Sequence, residues 1–87
     1  MKVAVWDTYV TKKDGSEMHF DILAPDHIND LETIYSFGRD YLESKNEDNS
    51  MLSAKECNFC HIEHATPEIV QGITIRGYYI IEMEGCE

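Results

Sequence analysis

The sequence predicts an α+β fold, a two-layer sandwich in ββαβαβ order whose mixed four-stranded sheet carries two helices on one face. Three observations lead there: an Asp14-Gly15 turn between two strand-like segments, an apolar stripe at helical spacing behind an acidic cap, and a Thr66-Pro67 helix start with a Gly77 stop ahead of a Tyr/Ile run. At 87 residues the chain falls below the usual span of two domains, so residues 1–87 are expected to share one core as a single domain.

The first strand is expected over Lys2 to Val10, rich in Val, Trp, Thr and Tyr, and the second over Glu17 to Ala24. Asp-Gly tolerates the positive φ of a tight turn, which makes the pair a hairpin. In the second strand Met18, Phe20 and Ile22 share one face, the core, while Glu17, His19 and Asp21 share the other. Pro25 and Asp26 end it. Asn29 followed by Glu32 has the form of a capping box, so a helix begins near Asp30, with Leu31, Ile34, Gly38, Tyr41 and Leu42 as its stripe and Phe37 at the margin. Gly38 costs about 1 kcal/mol of helix propensity, and a close approach of the helix backbone to the sheet would compensate. Lys45 to Ser50 reads as a polar loop and Met51 to Cys57 as a third strand. Thr66 as N-cap, Pro67 at the first helical position, Glu68 in the first turn and Gly77 past the end frame a second helix that buries Ile69, Val70 and Ile73. Tyr78 to Met83 is the fourth strand, with Tyr79, Ile81 and Met83 on one face.

Charge and composition exclude some functions. Seventeen acidic against seven basic side chains give a formal net charge of -10, which repels phosphate backbones and anionic lipid, so neither nucleic acid nor membrane is expected as a partner. No run approaches the roughly 18 apolar residues of a membrane span, and Asp7 interrupts the N-terminal run, so no signal peptide is expected. A cytoplasmic location is the default. There, three cysteines read as thiols or metal ligands rather than a disulfide framework.

Chemistry concentrates at Cys57-Asn58-Phe59-Cys60-His61, with His64 close behind. If the third strand, second helix and fourth strand form a crossover unit, the two strands run parallel and end at the same edge. Cys57 then ends one, Cys86 follows the other, and a third sulfur joins the pair. Tetrahedral zinc takes four N or S donors, and Cys57, Cys60 and Cys86 with His61 or His64 would supply them. Three readings stay open: a zinc site, structural rather than catalytic; a redox-active Cys57–Cys60 dithiol; and incidental thiols with surface histidines. The dithiol reading lacks a helix N-terminus to lower a thiol pKa and sits among Glu56, Glu63, Glu68, Glu82, Glu84 and Glu87. That acidity favours a bound cation. Cys-x-x-Cys-His also spells a haem attachment pattern, but strand-rich surroundings with no export signal leave no pocket for it, so no haem is expected. Neither GxGxxG nor a P-loop is present, so no nucleotide is expected either. Asp7, His19 and Asp21 on the hairpin read as surface groups, and His27 as a loop residue. Trp6, Tyr78 and Ile80 are expected on the sheet face opposite the helices, where a homodimer would cover them.

Asp7-Thr8-Tyr9-Val10, Met18-His19-Phe20-Asp21, Cys57-Asn58-Phe59-Cys60-His61, Gly77-Tyr78 and Met83-Glu84-Gly85-Cys86 together resemble a small bacterial family of unassigned function, the domain-of-unknown-function family twenty-twenty-four. The resemblance runs over nearly the full chain and implies a compact α+β fold. It implies no activity. Cys57, Cys60, His61 and Cys86 match its motif positions, whereas His64 stands outside them.

Overall fold

In the computed structural model, residues 1–47 and 52–86 are described. The elements follow the expected order: β1 (Lys2–Thr11), β2 (Glu17–Pro25), α1 (Leu31–Ser44), β3 (Cys57–His64), α2 (Pro67–Arg76) and β4 (Tyr79–Glu84). They form an α+β fold around one four-stranded sheet of order β3-β1-β2-β4.

The β1–β2 hairpin is the centre of that sheet. Gly15, at φ 89°, turns the chain, and Lys12 N–H bonds to the carbonyl of Ser16 at 2.7 Å. One register then runs unbroken from Val3 opposite Pro25 to Thr11 opposite Glu17. Directly opposed residues share a face. Ala4, Trp6, Thr8 and Val10 therefore lie on the same side as Ala24, Ile22, Phe20 and Met18, while Val3, Val5, Asp7 and Tyr9 lie with Pro25, Leu23, Asp21 and His19.

Each side receives its own helix. Ile34, Tyr35, Tyr41 and Leu42 of α1 pack with Met18, Phe20, Ile22 and Ala24, and Ile69 and Ile73 of α2 pack with Val3, Val5 and Leu23. The helices thus cover opposite faces of the sheet, not one face as the element order suggested. The physical reason is that Val3-Ala4-Val5 and Ile22-Leu23-Ala24 are apolar on both sides, and a single helical layer would leave half of them in water. Trp6, Tyr78 and Ile80, expected on an open face, belong instead to the side that α1 covers.

All strand pairings are antiparallel. β3 pairs with β1 and β4 with β2, so β3 and β4 occupy the two edges and run in opposite directions, which replaces the mixed sheet expected from a parallel crossover. The third strand also begins where it was expected to end. Leu52 is a core side chain, residues 53–56 turn, with Cys57 N–H on the carbonyl of Ser53 at 3.0 Å, and Met51 lies outside the described residues, as do residues 48–50 of the expected loop.

Helix boundaries follow local chemistry. Asp30, one residue later than expected, caps α1 by accepting from Glu32 N–H at 3.2 Å and Thr33 Oγ1 at 3.0 Å. Leu31 stays half exposed, and Tyr35 takes its place in the buried stripe. The α2 frame is as expected, with Thr66 Oγ1 accepting from Ile69 N–H at 3.3 Å and Gly77 left-handed at φ 90°. Gly72 rather than Val70 completes its buried face.

Gly38 is the close approach that its helix position implied. A Cβ there would collide with Leu52 Cδ2 and stand 3.0 Å from Ile22 Cδ1, both deep in the core. Gly38→Ala is expected to destabilise the protein by about 1–3 kcal/mol, the usual cost of overpacking, despite alanine's better helix propensity. Urea unfolding measures it, and a rise in midpoint would contradict the close contact.

Candidate functional site

The structure separates the cysteines. Cys57 begins β3 opposite Thr8, is buried on the α1 side and accepts from Thr8 Oγ1 at 3.5 Å. Its thiol pKa is raised, by burial first and by the charge of Asp7, with the Thr8 bond opposing; it is held as a neutral thiol. Cys86 lies past β4, buried at the other edge, with Sγ 3.4 Å from the carbonyl of His19. Three strand spacings, roughly 14 Å, separate the edges. Cys60 is the extra residue where the β1–β3 register shifts between Val5 and Trp6, and it is exposed. In extended chain its backbone is roughly 10 Å from that of Cys57, beyond disulfide reach. The sheet-edge premise of the zinc cage fails, since Cys86 is across the sheet from Cys57. Cys60 Sγ does meet His61 Nδ1 at 3.1 Å. His61 opposes Val5 and His64 opposes Lys2, which puts the two imidazoles on opposite faces.

A different cluster is assembled on the hairpin. Asp7 stands directly opposite Asp21, and His19 is two residues from Asp21 on the same face. His19 Nε2 is hydrogen-bonded to Asp7 Oδ1, and its ring stacks on Tyr9 at 4.0 Å and 11°. One ligand atom from each of Asp7, His19 and Asp21 lies within 4.8 Å of the others, the one such triad of His, Cys or acidic groups among the described residues. The groups are half-buried, with 19% of the His19 side chain and 36% of Asp7 exposed.

Two irregularities of the sheet flank this cluster. The β1–β3 register shifts beside Asp7 and the β2–β4 register between His19 and Phe20. Bulges of this kind re-aim side chains and gather near active sites. Asn58 is brought opposite Asp7, and Glu84 opposite His19. α2 packs over Val3, Val5 and Leu23, leaving this half of the face open, and Tyr9 is 43% exposed. Burial, the hydrogen bond that protonated Asp21 donates to Asp7, and the charge of Asp7 raise the pKa of Asp21, while His19 and His61 lower it less. Two like charges directly across an antiparallel pair are unfavourable, so the pair is poised to hold a proton or a cation.

Residues 1–83 match the family model described as Domain of unknown function (DUF2024). The chain belongs to this family. It is also similar to protein NE1680 from Nitrosomonas europaea, solved by NMR as a structural-genomics target, at 39% identity over 100% of both chains with a TM-score of 0.84. No curated protein matches it. Membership carries no activity with it, and the site must be read from its residues. No helix among the described residues is long and apolar enough to cross a membrane.

Asp7, His19 and Asp21 were visible in the sequence as surface groups of the hairpin, but not as a cluster. The missing signal was the register: a turn centred on Asp14-Gly15 that ends with Thr11 opposite Glu17 sets Asp7 against Asp21 with no further assumption.

The raised Asp21 pKa has a definite sign in stability. Between its unfolded and folded pKa values the native state binds the extra proton, so stability falls as pH rises through that window and the deficit persists above it. In chelator-treated protein, Asp21→Asn is expected to raise the denaturation midpoint at pH 7 and to flatten the slope above the ordinary carboxylate range. A midpoint lowered by the substitution at pH 7 would contradict the like-charge account.

Proposed function

We propose that this protein binds a divalent metal ion, zinc by the chemistry of its donors, on the open half of the sheet through Asp7, His19 and Asp21. The supporting observation is the placement of two carboxylates opposite one another with an imidazole bonded to Asp7 and a ligand atom of each within 4.8 Å of the others, a mixed N/O set of the kind zinc accepts. A dication turns the repulsion between Asp7 and Asp21 into attraction. His61 stands on the same face one strand away and is the candidate fourth donor in this reading, which would require its Nε2 to leave Glu63 Oε2, 3.5 Å away. Three or four protein ligands on an exposed face leave room for water, and ring orientation is set by Tyr9 stacked on His19.

The thiols have no share in this site. Cys57 and Cys86 are core residues on the α1 side, and Cys60 acts only by holding His61 Nδ1. The redox reading loses its basis with them, because a neutral buried thiol and a partner held out of bonding range make a poor dithiol.

Calorimetric titration of chelator-stripped protein with zinc chloride tests the assignment. One equivalent is expected for the wild type and for a variant carrying Cys57→Ala, Cys60→Ser and Cys86→Ala. His19→Ala and Asp21→Asn should each weaken binding by more than the roughly tenfold that loss of an outer hydrogen-bond partner causes. Affinity should also fall on acidification, because bound carboxylates and imidazole must be unprotonated. Unchanged zinc binding in the Asp7→Asn, Asp21→Asn double variant would overturn the proposal, and loss confined to the cysteine variant would return the ion to the thiols.

A further inference from the structure

A second recognition feature lies at the β4 edge, independent of the metal site. A groove of about 880 Å³ runs between β4 and the C-terminal half of α1. Tyr79, Ile80 and Ile81 all line it. Successive strand side chains leave opposite faces, so a groove touched by three in a row follows the outer rim of the strand. On that rim β4 has no neighbouring strand among the described residues.

Natural sheets block such rims with bulges and charges. In β4 those devices sit at the far end, where the register shift and Glu82 and Glu84 are found, while Tyr79-Ile80-Ile81 carries neither. The opposite edge is defended from Cys60 onward by the irregularity there and by His61, Glu63 and His64. The unprotected stretch of β4 and the groove therefore coincide.

The α1 wall of the groove is acidic. Asp40 and Glu43 are exposed there, and the last turn of α1 holds no basic residue to offset its negative dipole end. The two cations at the groove are engaged: Lys45 Nζ is 2.8 Å from Glu82 Oε2, and the Arg76 guanidinium sits 5.8 Å over the ring of Tyr78. Tyr41 and Tyr78 donate hydrogen bonds to Glu82 and Asp40 along this wall.

We propose that this groove receives an extended, lysine- or arginine-bearing peptide segment of another protein, added to β4 as a fifth strand. Main-chain bonds to the rim supply affinity, and alternate cationic side chains reach Asp40 and Glu43 while those between them lie over Ile81 and Tyr79. A second copy of this chain is disfavoured by charge, at -10 per copy and with Glu82 and Glu84 on the strand that would pair.

The test uses the full-length ¹⁵N-labelled protein and a capped heptapeptide alternating valine and lysine. Saturable shifts are expected in the amides of Tyr79, Ile80, Ile81 and Glu43, weakened about fivefold by Glu43→Lys and further by high salt, with no binding by the valine–glutamate counterpart. Absence of shifts at millimolar peptide overturns the proposal. So do shifts centred on β3, equal binding of the glutamate peptide, or self-association through β4 without peptide.

Discussion

The register of the β1–β2 hairpin is the constraint on which the rest depends. Because side chains alternate along a strand, one turn geometry decides at once which residues face α1, which face α2, and that Asp7 meets Asp21. A slip by one residue would send Met18, Phe20 and Ile22 to the side of Leu23, away from α1. The core fixes the register, and the register fixes the polar cluster as a by-product. Both edge strands then dock on a pair already determined, each with one irregularity beside the cluster.

What could be read from the sequence was what depends on neighbours a few residues apart. The Asp14-Gly15 turn, the α1 stripe and the Thr66–Gly77 frame all carry local chemistry, and all are found in place, save that Tyr35 replaces Leu31 in the stripe. The β3 strand was misplaced because its residues after Cys57 are exposed and show no alternation; pairing with β1 makes it a strand. The helices lie on opposite faces because Val3-Ala4-Val5 and Ile22-Leu23-Ala24 are unbroken apolar runs that need cover on both sides, a signal that the order of elements does not carry. Antiparallel order of the edges was beyond local signals, since it depends on which side of the hairpin each later strand joins.

The cysteine spacing shows why a motif is a statement about backbone as much as about residues. Two thiols three apart converge when a turn or helix start folds the chain between them. In β3 the same spacing stretches the chain and sends Cys57 inward beside Thr8 while Cys60 reaches solvent. Cys57 and Cys86 then behave as small apolar side chains filling the α1-side core, the commonest role of a buried free thiol.

Where α2 ends, the sheet changes character. Val3, Val5 and Leu23 beneath the helix are apolar; one step farther along the same strands come Asp7 and Asp21, then Tyr9 and His19. Packing explains the first set and not the second, because a half-buried carboxylate pair lowers stability at neutral pH and any pair of threonines would hold the strands as well. The imidazole beside it, the stacked Tyr9 and the bulge on either flank further restrict side chains that a solvated surface would leave free. An arrangement that opposes folding and is nevertheless held in one geometry supports the proposed site, in which a cation would satisfy both carboxylates and the ring nitrogen together.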